Sequence, residues 1–245
     1  MTTNSNNLVE IVETEKISFN KPLVIAGFAG QGLVGSIALS YIVDNLKLKE
    51  IAYVRSRLLP PATIFIDGVL RYPFRVYSND QGTLLAVVSE ISPPVEGFYD
   101  ISHSLMNWIE KMNVEEVVVL SGLVVRSDPD PKLIFAAAEP EVLDKLRQHN
   151  IPILTRGLIT GIAATILNEC ITRRLTGICL LSPTTAKPNP EASVTLISAL
   201  NRVYNLGIEL TPLVKEIELI KKKQRELAEH AEKMSDRDMV QSIYV

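Results

Sequence analysis

Short apolar runs and segments with helical spacing alternate along most of the chain. Residues 23–26 are apolar and end at Gly27, which predicts a buried strand, and residues 33–46 carry apolar positions three and four apart, which predicts a helix. The same patterns predict strands at 51–54, 83–89, 116–120, 151–154 and 178–181, and helices at 98–112, 140–149 and 161–173. Strands that alternate with helices are typical of an α/β protein.

Two local signals predict turns and caps. Asp67-Gly68 lies between two segments rich in β-branched and aromatic residues, 63–66 and 69–77, and this dipeptide favours the positive φ angles of a type I′ turn, so we expect a β-hairpin. Asn189-Pro190-Glu191 combines an N-cap residue, a proline at the first helical position and an acid in the first turn. We therefore expect a helix from there to about Asn205, ended by Gly207.

From Pro212 the pattern changes to a heptad seam. Its positions are separated by gaps of four and three residues in alternation: Leu213, Ile217, Ile220, Gln224, Leu227, Ala231 and Met234. So narrow a stripe predicts a helix over residues 212–234 that associates with copies of itself, and an ordinary amphipathic helix lying on its own domain is the alternative. Residues 235–242 are mostly polar and aperiodic, and the predicted flexible tail, residues 235–245, ends in Ile243-Tyr244-Val245.

Composition narrows the class of protein. The chain has 245 residues, 47% of them hydrophobic, and a formal net charge of −3. That length fits one large domain or two small ones, and the near-neutral charge gives no indication of a nucleic-acid partner. Residues 1–7 lack the pattern of a signal peptide, and no run reaches 18 apolar residues, so we expect no membrane span and a cytoplasmic location.

A glycine-rich turn is the one enzyme-like motif. Gly30-x-Gly32-x-x-Gly35 matches the dinucleotide fingerprint and lies between a predicted strand and a predicted helix. The fingerprint also requires an acid at the end of the next strand, where this chain has Arg55-Ser56-Arg57. A nucleotide- or NAD(P)-binding enzyme that uses residues 27–35 is therefore the alternative function, since close packing of helix on strand also selects glycine.

The other chemically capable side chains form no recognised catalytic or metal pattern. The three histidines, His103, His149 and His230, fall on predicted helices or helix ends. Four acids have spacings that match no calcium loop: Asp128, Asp130, Glu139 and Glu141. Cys170 and Cys179 lie in apolar surroundings and are interpreted as buried hydrophobes. We therefore predict no catalytic residue, no metal and no cofactor.

The end of the chain has the chemistry of a docking peptide. A lysine can bind the free α-carboxylate, an apolar wall can bury the penultimate Tyr244 ring, and one partner can satisfy the tyrosine hydroxyl.

Four segments together resemble the proteasome-assembly-chaperone family, specifically the archaeal homologues of its second member. The segments are residues 27–38 (GFAGQGLVGSIA), 60–62 (PPA) with the following Asp67-Gly68, 159–163 (ITGIA) and 188–192 (PNPEA). The resemblance covers roughly residues 22–211, and the ending Ile243-Tyr244-Val245 matches the hydrophobic-Tyr-any tail of proteasome activators and some assembly chaperones.

The resemblance implies a fold, a partner and an oligomeric state. It implies an α/β domain over residues 1–211, a three-layer sandwich with a central, mostly parallel sheet similar to the phosphorylase/hydrolase fold. It also implies an ATP-independent binder, not an enzyme, whose tails enter pockets between the α-subunits of the proteasome core, where a lysine meets the terminal carboxylate. Homotetramers are expected, and the glycine-rich turn becomes a structural element. Whether such a protein assembles the proteasome or activates it stays open.

Overall fold

A computed structural model describes residues 8–126 and 129–223. The chain divides into two compact units, one that ends at Ile208 and one that begins at Glu209. In the second unit, residues 211–223 are helical.

Strands and helices alternate in the described part of the first unit. The strands are β1 (Val9–Glu13), β2 (Leu23–Phe28), β3 (Lys49–Ser56), β4 (Ile64–Ile66), β5 (Val69–Arg71), β6 (Phe74–Ser78), β7 (Leu84–Ser89), β8 (Glu116–Val124), β9 (Phe135–Ala138) and β10 (Thr176–Thr184). The helices are α1 (Val34–Asn45), α2 (Phe98–Glu110), α3 (Leu143–Gln148), α4 (Ile162–Arg173) and α5 (Pro190–Tyr204). Single 3₁₀ turns precede α1, α2 and α3.

Eight strands form one sheet in the order β1-β3-β6-β7-β2-β8-β10-β9. The four central strands, β7, β2, β8 and β10, run parallel, while the pairs at both sides are antiparallel. Every residue of β2 is buried, as expected of a strand covered on both faces. The predicted α/β class with a mostly parallel central sheet is thereby confirmed.

Helices cover both faces of this sheet. On one face, α1 packs on β2, β7 and β8, and α5 packs beside α1 on β10. On the other face, α2 and α4 pack against each other, and α4 lies on β8 and β10. Alternate residues of β2 divide between the faces, so that Val24, Ala26 and Phe28 belong to the core under α2 and α4. The result is the predicted three-layer arrangement.

The predicted hairpin is present but shorter than expected. Asp67 and Gly68 have φ angles of 50° and 78°, the positive values of a type I′ turn, and they join β4 to β5. The prediction of one strand over residues 69–77 is wrong. Proline at position 73 has no N–H group to continue the ladder, and the chain after it leaves the hairpin to form β6 between β3 and β7.

Two strands were not predicted and one predicted strand is reduced to a bridge. β1 and β9 are the edge strands of the main sheet. Residues 151–154 make a single parallel bridge, from Ile153 to Ala136 of β9. The cap of α5 agrees with the sequence, because the Asn189 side chain accepts a hydrogen bond of 3.1 Å from the Ala192 N–H. The left-handed residue that ends this helix is Asn205, not Gly207.

Within the described residues, no helix combines the length and the apolar character needed to cross a lipid bilayer.

Candidate functional site

The glycine-rich turn is packed tightly against the sheet. A Cβ atom on Gly27 would lie 2.2 Å from the Gly35 carbonyl oxygen, and one on Gly35 would lie 2.3 Å from the Leu120 carbonyl oxygen. Gly32 has a φ of +62°, and a Cβ atom there would lie 2.2 Å from Thr184 Oγ1. Any side chain at these three positions would therefore displace backbone or the end of β10, so packing requires glycine there.

Contacts with α5 also hold the turn. The Asn189 backbone N–H donates to the Gly32 carbonyl oxygen at 2.8 Å, and the Ser193 hydroxyl donates to the Val34 carbonyl oxygen at 2.9 Å. The start of α5 is thus fixed to the start of α1. This arrangement supports the interpretation of the turn as a structural element.

The dinucleotide fingerprint lacks its usual surroundings. It belongs to a βαβ unit in which the helix leads to a strand near the first one. Here α1 leads to β3, and β6 and β7 lie between β3 and β2 in the sheet. Arg55 and Ser56, at the end of β3, are therefore remote from the turn, which counts against the nucleotide-binding alternative.

An open groove lies at the carboxyl ends of β2 and β8, and we call it the α4 groove. Its volume is about 890 Å³, within the roughly 300–1,000 Å³ typical of ligand sites. Besides α4, most of the lining comes from four segments: residues 28–31 at the end of β2, 120–124 at the end of β8, 137–139 at the end of β9, and 156–161 before α4. Single residues from other elements complete it: Ser92, Phe98, Leu154, Gly177 and Leu181. Crevices outside the carboxyl ends of parallel strands are the usual binding position in α/β sheets.

Sequence patterns did not indicate the groove, because its walls come from segments far apart in the chain. The signals present were Ser121-Gly122 at a strand end and the glycines at 157 and 161 that flank an exposed loop. Each is too common alone to define a site.

The predicted positions of the histidines are confirmed where the structure describes them. His103 lies on α2, its ring stacks on Tyr99, and its Nδ1 atom lies 3.2 Å from Oε2 of the buried Glu169. His149 caps the end of α3, whereas His230 lies outside the described residues.

The acids and cysteines singled out in the sequence lie in turns or in the core. Asp130 accepts a hydrogen bond of 2.9 Å from the Lys132 N–H, Glu139 and Glu141 lie at the start of a 3₁₀ turn, and Asp128 lies outside the described residues. Among residues 8–126 and 129–223, no three such side chains converge as metal ligands. Both cysteines are free and buried, and burial raises the pKa of Cys170 and of Cys179 to about 12.

A buried polar cluster joins α3 and α5 to the start of β8. Glu116 accepts hydrogen bonds from Lys145 Nζ at 2.9 and 3.0 Å and from the Tyr204 hydroxyl at 2.6 Å. Burial and this hydrogen bond raise the pKa of Tyr204 well above its ordinary value. The cluster lies at the amino end of the parallel strands, the edge opposite the α4 groove, and it ties α3 and α5 to β8.

The heptad seam and the tail are only partly described. Leu213 and Ile217 are buried, with 7% and 6% of their surface exposed, whereas Ile220 is 47% exposed. The remaining seam positions, Gln224, Leu227, Ala231 and Met234, and the tail residues Ile243, Tyr244 and Val245 lie outside the described residues. Self-association through the seam and docking by the tail therefore stay predictions.

The fold and the groove define a three-layer α/β protein with an open crevice at the carboxyl edge of its parallel strands. A model of the PAC2 family matches residues 24–228, and the chain belongs to this family. The family resemblance inferred from the four sequence segments is thereby confirmed.

Several proteins are similar to this chain over most of their length, in sequence or in fold. An uncharacterized protein of Methanocaldococcus jannaschii is 31% identical over 228 residues, which are 92% of this chain and 93% of the relative. Pyrococcus furiosus PbaA, an archaeal homolog of proteasome-assembly chaperone, is 27% identical with a TM-score of 0.87, covering 97% of this chain and 99% of PbaA. Pyrococcus furiosus PbaB, an archaeal proteasome activator, shares the fold at 20% identity and a TM-score of 0.77, covering 91% of this chain and 99% of PbaB.

Proposed function

We propose that this chain is a non-enzymatic, ATP-independent proteasome-binding protein, an assembly chaperone or an activator. The observation that carries the proposal is membership of the PAC2 family together with the similarity to PbaA over almost the full length of both chains. The enzymatic alternative depended on the fingerprint glycines 30, 32 and 35, and packing explains Gly32 and Gly35, but not Gly30. That explanation favours a binding role.

The docking element in this proposal is the end of the chain. Ile243, Tyr244 and the Val245 carboxylate enter pockets between neighbouring α-subunits of the proteasome core. A lysine of the ring binds the carboxylate, and the tyrosine ring fills an apolar cavity while its hydroxyl finds one hydrogen-bond partner. Affinity then depends on the identity of the penultimate residue and on a free terminus.

Several linked tails strengthen the hold. The heptad seam gathers copies of the chain, and a tetramer is the expected assembly. Linked tails raise the overall affinity by factors of about 10²–10⁴ when the linker lets them bind together. Chaperoning of ring assembly and activation of a finished ring both use this geometry.

A pull-down of purified proteasome core tests the docking. The intact chain, a chain that lacks residues 243–245 and the variant Tyr244→Ala serve as baits. We expect retention of the core by the intact chain alone, because both changes remove the ring that fills the pocket. Equal retention by all three baits would refute tail docking.

Light scattering after size-exclusion chromatography tests self-association through the heptad seam. We expect an oligomer for the full chain and a smaller species after removal of residues 212–245. A monomer in both cases would refute self-association through the seam and leave tail docking to be judged by the pull-down.

A further inference from the structure

The hairpin of β4 and β5 carries apolar side chains that nothing in the described chain covers. Phe65 and Leu70 lie directly opposite each other in the register, so their side chains share one face, and they are 75% and 74% exposed. Ile66 and Val69, the next pair toward the turn, are also exposed. Large apolar side chains grouped on one exposed element are characteristic of an interaction site.

The contacts that hold the hairpin to its own protomer lie at its base. Arg71 is 3.9 Å from Glu50 Oε2, and the Tyr72 ring stacks on Tyr53 with 3.9 Å between the ring centroids. Among the described strands, β4 and β5 pair only with each other, and a hairpin of two strands is marginally stable in water. A partner that packs on its apolar face would therefore stabilise the hairpin.

The α4 groove offers a complementary apolar surface. Leu158 on the loop before α4 is 84% exposed, Ile171 on α4 is 63% exposed, and Val124 at the end of β8 is also exposed. All three line the groove, whose volume of about 890 Å³ leaves room for two large side chains. A Cβ atom at Gly157 or Gly161 would meet no atom within 4 Å, so the backbone of a partner can approach closely there.

The charges of the two surfaces also match. Asp67 at the tip of the hairpin and Arg156 in the groove are exposed, and neither side chain has a hydrogen bond or an ion pair in the part of the chain that the structure describes. Burial and, to a lesser extent, the Asp67 carboxylate raise the pKa of Asp44 on α1, so the charge closest to the tip repels it. An acid and a cation that each lack a partner can pair across an interface.

The hairpin and the groove of one protomer lie on opposite faces of the sheet. Phe74 and Val76 of β6 belong to the core under α2 and α4, so Arg75 between them points to the α1 face. Arg75 and Arg71 lie 4.0 and 3.9 Å from the same Glu50 oxygen, which places the base of the hairpin on the α1 face. The groove is lined by α4 on the other face. A contact between the two surfaces therefore joins two copies of the chain.

We propose that the β4–β5 hairpin of one copy binds in the α4 groove of a second copy. The face formed by Phe65 and Leu70 packs on the apolar side chains around Leu158. The Asp67 carboxylate binds the Arg156 guanidinium. Because two different surfaces meet, the contact is heterologous, and each copy offers its hairpin to one neighbour and its groove to another. This interface goes beyond the proposed function, since it needs neither the proteasome nor the heptad seam.

Cysteine cross-linking in the full chain tests the contact. Phe65→Cys and Leu158→Cys place thiols at exposed positions, whereas the native Cys170 and Cys179 are buried and unreactive toward a short bismaleimide. When the two variants are co-expressed, we expect a dimer linked between positions 65 and 158, at a yield at least tenfold above that from either variant alone. The matched pair of Leu158→Cys with Arg202→Cys, an exposed position on α5, should give no such product.

Two further variants test the geometry and the charge pair. Leu70→Cys with Ile171→Cys repeats the cross-link at a second pair of exposed positions. Asp67→Asn keeps a residue that suits the positive φ of the turn but removes the charge, and we expect it to lower the yield of the 65–158 product at least twofold. Arg156→Gln should do the same, and the two together should lower the yield no further than either one.

Every other outcome overturns the inference. A dimer linked between two copies of position 65 would mean that hairpins pack on each other. A yield from the Arg202→Cys pair equal to that from the Phe65→Cys pair would mean that the linkage comes from random collision. No product at either pair of positions, in chains whose fold is intact by circular dichroism, would remove the groove as the site of the hairpin. These results leave the proteasome pull-down unaffected, so the two proposals fail separately.

Discussion

The two glycine-lined regions of this molecule differ in what occupies the space beside each glycine. In the turn before α1, Cβ atoms at Gly27 and Gly35 would lie 2.2 and 2.3 Å from backbone oxygens. In the α4 groove, a Cβ atom at Gly157 or Gly161 would meet nothing within 4 Å. The first region is filled by the protein itself, whereas the described residues leave the second region open.

This difference separates a sequence motif from a binding site. The turn has the spacing of a nucleotide fingerprint, yet Gly27, Gly32 and Gly35 serve contacts between α1, β8 and β10, and Gly30 alone of its glycines has open space beside it. The groove matches no motif, yet it has the volume of a ligand site, the exposed apolar residues Val124, Leu158 and Ile171, and Arg156, which has no hydrogen bond or ion pair within residues 8–126 and 129–223. Close packing and ligand access both select glycine, and only the surrounding atoms distinguish them.

The largest expected effect is at the filled region. Gly35→Ala would place a methyl group 2.3 Å from the Leu120 carbonyl oxygen, and neither backbone can yield without moving α1 away from β8. We expect a loss of about 3 kcal/mol or more in the free energy of unfolding, at the upper end for overpacking. Urea denaturation measures it, and a loss below about 1 kcal/mol would contradict the close packing.

The buried Glu116 cluster and the exposed Arg156 of the groove should also differ in their contribution to stability, by less than the glycines do. Glu116→Ala leaves Lys145 and the Tyr204 hydroxyl without their acceptor, and we expect destabilisation of about 2 kcal/mol, a value discounted because the Lys145 side chain is 36% exposed. Arg156→Gln in the groove should change stability by less than about 0.5 kcal/mol. Thermal unfolding of both variants measures the two losses of stability. Equal losses would mean that Arg156 contributes to the folded structure as much as Glu116 does.

The burial of Cys170 on α4 and Cys179 on β10 predicts a pH dependence of stability. The Cys170 and Cys179 thiols have folded-state pKa values of about 12, against about 9 for an exposed thiol, so the folded state holds their protons more tightly. The contribution of the two thiols to the free energy of unfolding is therefore fully present below about pH 9. It is lost as the pH rises from there toward 12, by about 1.4 kcal/mol per pH unit for each thiol. In a Cys170→Ala/Cys179→Ala variant, the free energy of unfolding, measured by urea denaturation between pH 9 and pH 12, should fall less steeply with pH. An unchanged slope would mean that the thiols are accessible to water in the folded protein.

The smallest effect is expected at the open region. Gly157 does not have a positive φ, and a methyl group there would meet no atom, so Gly157→Ala should be neutral or stabilise by roughly 0.5 kcal/mol through the unfolded chain. Urea denaturation beside Gly35→Ala gives the measurement. Destabilisation by more than about 1 kcal/mol would show that the groove is filled in the native protein.

The sequence was most informative where one local interaction decides the structure. The Asp67-Gly68 turn and the Asn189 cap follow from the residues that form them, and the buried strand β2 follows from its apolar run. The class of fold could therefore be predicted from periodicity alone.

The missed elements depend on partners distant in the chain. β9 is Phe-Ala-Ala-Ala, a helix-favouring composition, and it is extended because it pairs with β10 about 40 residues later. β1 is an edge strand fixed by pairing with β3. The groove could not be predicted for the same reason, since Arg156 and Glu139 acquire a common surface only when the sheet has formed.

The most direct test of tail docking is the affinity of immobilised proteasome core for chains that differ only at the terminus. One chain is intact, one carries Tyr244→Ala, and one has a single glycine appended after Val245, which keeps every residue but moves the free carboxylate. Tail docking predicts that the substitution and the added glycine each weaken binding at least tenfold. Full affinity of the extended chain would contradict the account, because a carboxylate displaced by one residue cannot reach the same lysine.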